Sequence, residues 1–376
     1  MKTKILMVCT SALMLLICSC RKDAQINPDE TETGNPDPQS IAKGLYLANE
    51  GNLGSNKASI DYLDFATGIY RKNIYAQVNP EVVNGLGDVA NDVAVYGTKL
   101  YVVVNASNKV EVMNAKTGKR IGQINILNCR YITFNKGKAY VSAYLGTIGD
   151  PNAPQGIVAK IDTTTLQEVQ RIEVGRQPEE MAIVGEKMYV ANSGGYSVSN
   201  YERTVAVIDL NTFRLLKKID VAINLNRIKA DKYGDLYVTS RGDNYETPAK
   251  LFVIDTKTET VKKTFNMAVS NLVIDEDNAY FYSNEFSYIT GDIILNYGIL
   301  NVKDEVLTDK KYITDGTDKV IIVPFGIAVN PFTKDVYVTD AKDYVSPGTL
   351  YCFDPSGKMK FSVSTGDTPG HFAFYY

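Results

Sequence analysis

Tryptophan is absent from the 376-residue chain, and histidine occurs once. Without tryptophan, a repeat built on the Trp-Asp dipeptide is excluded. A single histidine removes every His-rich metal site. A Ser-His-acid triad would have to recruit His371, yet no Gly-x-Ser-x-Gly elbow is present. Gly85-Leu86-Gly87 begins a loose glycine pattern but opens no helix, and no calcium loop of the EF-hand type occurs. Excess positive charge is missing as well: 40 Lys and Arg stand against 43 Asp and Glu, which leaves no basic face for nucleic acid. Beyond residue 20 no apolar run is long enough to cross a bilayer. Of five cysteines only Cys129 and Cys352 lie past that point. They fall in different repeats and read as small buried apolar residues, not as a disulfide.

The first residues are read apart from the fold. Met1-Lys2-Thr3-Lys4 is a short basic head, and Ile5 to Ile17 is an apolar run too short to span as a stable helix, the pattern of an export signal. Ile17-Cys18-Ser19-Cys20 resembles a bacterial lipobox. Lipid is expected on Cys20, because attachment at Cys18 would put the bulky Ile17 at the cleavage position. Loss of residues 1–19 removes Lys2 and Lys4, so the mature balance is 38 minus 43, or −5. Residues 20–40 carry Pro28, Pro36, Pro38, five acids and few apolar side chains. Such a stretch cannot bury enough surface to fold and is expected to be a flexible tether. Anchor and tether together predict a soluble body held beside a membrane, not inside it.

What the chain does have is a repeated strand. Lys187-Met188-Tyr189-Val190-Ala191-Asn192 recurs in variant form around Tyr46, Tyr101, Tyr140, Tyr237, Tyr280 and Tyr337. A mean spacing of about 48 residues is that of four-stranded propeller blades. The best-formed repeat reads as four strands: Glu179 to Val184, Met188 to Asn192, Thr204 to Asp209 and Leu215 to Val221. The third strand ends in Asp or Asn in nearly every copy, as at Asn114, Asp162, Asp209, Asp255 and Asp354. Those side chains are expected to cap turns rather than bind metal. The first repeat lacks an innermost strand, while His371 to Tyr376 forms a strand with no repeat of its own. If the second fills the vacancy of the first, residues 41–376 close into an all-β, seven-bladed propeller with no free edge at the seam.

Short turns such as Gly185-Glu186-Lys187 fall on one face of that disc. The long segments 144–156, 193–203, 241–249, 284–297 and 341–348, with the connections 79–91 and 314–325, fall on the other. Loops on a rigid scaffold are where recognition concentrates. The long-loop face is rich in tyrosine, arginine and asparagine, residues suited to contact and hydrogen bonding. The candidate ligand-binding residues are Asn49, Asn105, Arg130, Tyr144, Arg176, Asn192, Tyr196, Tyr201, Arg203, Arg227, Arg241, Tyr245, Asn284, Phe286, Tyr288, Phe325, Asp340 and Tyr344. The group at 196–245 is expected to dominate. An oxygen-ligand metal site in the central channel would have to draw on Asn49, Asn192 and Asp340, of which only one is charged. Binding without catalysis and without a cofactor is the expectation.

The repeat "Tyr-Val-Ala-Asn … Val-Ala-Val-Ile-Asp" over residues 189–209 resembles the YncE-like propellers. With the lipobox and acidic, proline-containing tether, the whole is similar to surface lipoproteins of Bacteroidetes, and among them to the BtuG cobalamin-binding lipoproteins. That resemblance implies capture of a corrinoid (vitamin B12) and its transfer to a TonB-dependent outer-membrane transporter. It carries architecture only, since no binding motif is matched residue by residue. The alternative is a glycan- or protein-binding subunit of another surface uptake complex.

Overall fold

The computed structural model describes residues 29–376 apart from 147–149, 151, 198–199, 287–290 and 292. Cys20 and Tyr288 lie outside the described residues. Seven antiparallel sheets form the seven blades of a β-propeller. From the axis outward, blade four consists of Pro178–Val184, Lys187–Asn192, Thr204–Asp209 and Arg214–Asp220. The innermost strands of the other blades are Ala90–Tyr96, Cys129–Asn135, Leu225–Ala230, Asn271–Asp275, Pro324–Val329 and Pro369–Tyr375. Each touches the innermost strand of the next blade, so the ring is unbroken.

The seam closes as the orphan strand suggested. Pro369–Tyr375 pairs antiparallel with Gly44–Asn49, placing the C-terminus innermost in blade one. Alternation along the strands then builds the core between blades, not within them. Blades two and three share Tyr101, Val103, Val112, Ile132, Val141 and Ile161; blades four and five share Tyr189, Val205, Val207, Ile228 and Val238. Each such aliphatic side chain stabilises the packed state by about 1.5–3 kcal/mol. The repeated tyrosine spans the gap to its neighbour: the Tyr237 hydroxyl donates to the Val302 carbonyl at 3.0 Å, and Tyr46 donates likewise to Ala115. Cys129 and Cys352 are buried and unbridged, and burial pushes both thiols up to about 12.

The Asp and Asn residues that end the third strands cap turns in all seven blades. Asp209 Oδ1 accepts the Thr212 N–H at 2.7 Å, and Asp64, Asn114, Asp162, Asp255, Asn301 and Asp354 make equivalent bonds. Four residues on, the chain turns with positive φ at Gly68, Gly118, Leu166, Phe213, Glu259 and Glu305.

Two blades depart from the repeat at their outer edges. In blade one the outer strand is only Ile69–Arg71, and Glu30–Glu32 adds a fifth strand to it. Residues 29–40 therefore do not hang free as the composition suggested. Ladder bonds need no apolar side chains, and Arg71 pairs with Glu30 at 2.9 Å. In blade six the second and third strands run long, Asn278–Phe286 and Ile293–Asn301, whereas the outer strand is only Val306–Leu307. Within the long segment 284–297, residues 284–286 and 293–297 thus extend strands instead of forming a loop.

Candidate functional site

The site is set by a recurrent irregularity. In blades three, four, five and seven the ladder between the two innermost strands loses register at the long-loop end, between the first and fourth residues of the inner strand. Bulges of this kind re-aim side chains. A hydroxyl on the second strand satisfies the displaced backbone: Ser142, Thr239 and Thr339 accept the N–H groups of Tyr131, Arg227 and Gly326 at 3.1, 3.0 and 2.7 Å. The two residues within the irregular stretch are polar or aromatic in three of these blades, Arg130-Tyr131, Glu179-Glu180 and Asn226-Arg227, and in blade two a one-residue slip between Ala90 and Asp92 places Asn91 there. All of these but the fully buried Glu179 line the axial channel.

At the long-loop end the channel widens to a cavity of about 560 Å³ lined by Glu50, Asn91, Asn105, Arg130, Tyr131, Tyr196, Asn224, Asn226, Arg227, Arg241, Asn244, Tyr282, Asn284, Phe286 and Phe325, among others. A second cavity of about 300 Å³ opens toward the short-turn face, lined by Asp92, Glu180, Arg227, Lys229, Asn271 and His371 with Phe372 and Phe374. Arg227 lines both and marks the waist.

Glu179 organises the mouth. Its carboxylate is fully buried and accepts bonds from Tyr144 Oη (2.6 Å) and Ser193 Oγ (3.1 Å); Arg130 Nη2 lies 3.1 Å and Arg241 Nη1 3.5 Å away. Burial by itself would raise this carboxyl. The Arg130 and Arg241 charges and the bonds from Tyr144 and Arg130 outweigh it and hold the group below the usual carboxylate range. The Arg130 guanidinium also bonds to Asn91 and lies over the rings of Tyr131 and Tyr144 at 5.7 and 5.0 Å. Arg227 covers Tyr131 at 5.2 Å. Glu180, held low against its burial by Lys229 (2.6 Å) and Arg227, accepts the Ile228 N–H at 2.9 Å. His371 Nε2 is 3.1 Å from Glu50 Oε1, and its Nδ1 is 3.9 Å from Asp92, whose own carboxyl is raised by burial. Asn224 Oδ1, Asn226 Oδ1 and Arg227 Nε are buried and have no hydrogen-bond partner among the described residues. Buried polar atoms of this kind take water or a ligand.

Of the candidates from sequence, eight line the mouth: Asn105, Arg130, Tyr196, Arg227, Arg241, Asn284, Phe286 and Phe325. Tyr144 stands behind it as a support for Glu179, and Tyr344 packs edge-on against Phe325 at 5.8 Å. The others are not brought there. Asn49 and Asn192 are fully buried against Gly366 and Gly175, and they bond to Ser59 and Thr204 instead of reaching the channel. Asp340 accepts the Ile322, Val323 and Lys342 N–H groups and is a loop cap. Arg176 bonds to the Asn200 carbonyl, and Arg203 pairs with Asp220 at 2.5 Å on the surface. Tyr201 and Tyr245 lie outside the cavity lining. Of the candidates within 196–245, Tyr196, Arg227 and Arg241 line the mouth, joined by Arg130 from blade three. Sequence reasoning missed Glu50, Asn91, Tyr131, Glu179, Asn224, Asn226 and Tyr282. The signal was present: a polar pair stands at the head of several inner strands, where apolar alternation is expected.

A seven-bladed propeller with a polar axial mouth is a fold class shared by proteins of many activities. The chain belongs to the family described as a domain of unknown function (DUF5074), matched over residues 43–374. Among solved structures it is similar to a quinonprotein alcohol dehydrogenase-like protein of Bacteroides thetaiotaomicron, at 16% identity and TM-score 0.61 over 89% of this chain and 78% of that one. It is also similar to the hydrazine synthase of Kuenenia stuttgartiensis, at 16% identity and TM-score 0.56 over 70% and 76%. The Pan2 WD40 domain of Neurospora crassa is similar at 11% identity and TM-score 0.54 over 74% and 79%. At such identities the likeness is one of fold alone. No curated protein matches the chain.

Proposed function

We propose that this protein binds a corrinoid at the long-loop mouth of its channel without transforming it, as a lipid-anchored outer-membrane protein that passes the ligand to a TonB-dependent transporter. The observation that carries the reading is the lining of the mouth, where Asn91, Asn105, Asn226 and Asn284 stand among Tyr131, Tyr282, Phe286 and Phe325 with Arg130, Arg227 and Arg241. A corrin is broad and amphipathic, with amide side chains on its rim. Paired amide bonds and aromatic area suit it, and no histidine is needed. The buried acceptors Asn224 Oδ1 and Asn226 Oδ1 suit amide N–H donors. The ion pairs around Glu179 fix these side chains before a ligand arrives, which lowers the ordering cost of binding. Resemblance to the YncE-like and BtuG proteins supports the assignment, and the lipobox at Cys20 supports the anchor.

A second reading, glycan or protein capture, draws on the exposed aromatics Tyr196, Tyr245, Phe286 and Tyr344 around the long-loop face. Absorbance titration with cyanocobalamin separates the two: a saturable spectral change at micromolar protein is expected, and its absence moves the assignment to the second reading.

A further inference from the structure

Blade six leaves a sheet edge open. Its third strand, Ile293–Asn301, pairs with the second strand along its whole length, but the outer strand covers only Leu300 and Asn301. In blades two, three, four, five and seven the outer strands are six to nine residues long. Thr308 donates its N–H to the Ile299 carbonyl at 2.9 Å, after which the chain leaves the ladder and buries Tyr312. Because ladder bonds alternate, the N–H and C=O groups of Ile293, Leu295 and Tyr297 point outward along this edge. No strand pairs with them among the described residues. Between this edge and the departing chain lies a groove of about 480 Å³ lined by Phe281, Tyr297, Leu307, Asp309, Lys310 and Lys311, among others.

We propose that this edge is a strand-addition site for an extended acidic segment of a partner protein. Main-chain bonds would supply affinity, and the groove would take alternate side chains. Charge selects the occupant: Lys310 and Lys311 are both exposed and neither has an ion pair among the described residues. The same molecule shows the arrangement in cis. At blade one the acidic strand Glu30–Glu32 adds to the short outer strand and pairs Glu30 with Arg71 at 2.9 Å. A second copy of the chain fits less well, because pairing two blade-six edges would bring four lysines together. The inference is independent of what occupies the channel mouth.

The test uses the full chain and a synthetic peptide copying residues 26–34, read by hydrogen exchange and by fluorescence anisotropy of the labelled peptide. Protection of the amides at 293, 295 and 297 is expected, with no change at 69–71, where the edge is already filled. The Lys310→Glu, Lys311→Glu double variant is expected to weaken the peptide at least tenfold, as is changing Glu30 and Glu32 of the peptide to Lys. No protection of the edge at millimolar peptide overturns the site. Protection indifferent to both charge reversals overturns the acidic occupant. Concentration-dependent protection in the protein alone, with a dimer in sedimentation, assigns the edge to a second copy and overturns the proposal.

Discussion

The two faces of the disc solve the same problem in opposite ways. On the short-turn face one device is used seven times: an Asp or Asn accepts backbone N–H groups and the chain reverses a few residues on. Side chains there are occupied with the backbone or with surface pairs such as Lys187–Glu259 at 2.6 Å. On the long-loop face the inner-strand bulge recurs, but the side chains it turns inward differ from blade to blade. Glu179, Arg130, Tyr144, Ser193 and Arg241 come from blades three, four and five and satisfy one another, while buried atoms of Asn224, Asn226 and Arg227 remain unbonded. Regularity marks what holds the ring, and the irregular polar groups are gathered at one end of its channel.

The comparison can be broken first at the seam, which both faces depend on. Deleting 369–376 removes the inner strand of blade one together with His371 and Ala373, and should abolish the cooperative melt. A truncated chain melting like the parent contradicts closure through the C-terminus. Next is the mouth network. Glu179→Ala leaves Arg130 buried beside an empty place, a change costing about 3–5 kcal/mol, and denaturant unfolding measures it. Because the Glu179 and Glu180 carboxyls are held low in the fold, they stabilise it at neutral pH. That contribution is fully present above the unfolded value of 4.5 and is lost as pH falls through their lower folded values. Glu179→Gln should therefore lower stability at pH 7 and flatten its decline in acid. Smaller still, Asp255→Ala on the short-turn face removes one turn cap, worth about 1 kcal/mol, and should leave ligand affinity untouched.

How much was legible in the sequence follows the same division. The repeat around Tyr189, the turn-capping Asp and Asn residues and the orphan C-terminal strand are local, periodic features, and from them the ring and its closure could be read. The mouth depends on where a bulge turns a side chain. Glu179 read as the first residue of a strand, and nothing local says that its carboxylate meets an arginine from blade three and another from blade five. Asn49 and Asn192 misled for the converse reason. They stand at strand ends that face the right way, but Gly366 and Gly175 leave room beside them, and the amides fill that room. The acidic stretch before residue 40 was polar enough to look unfolded, yet Glu30–Glu32 needs only a ladder partner.

Corrinoid binding at the mouth is decided by calorimetric titration of cyanocobalamin into the parent, Arg227→Ala and Lys257→Ala proteins. Arg227 stands at the channel waist with an unbonded Nε, and Lys257 lies in a short turn on the opposite face. Saturable heat is expected for the parent, with affinity at least about tenfold weaker for Arg227→Ala, as for a truncated binding hot spot, and unchanged for Lys257→Ala. No heat with the parent, or a loss confined to Lys257→Ala, would contradict corrinoid binding at the mouth.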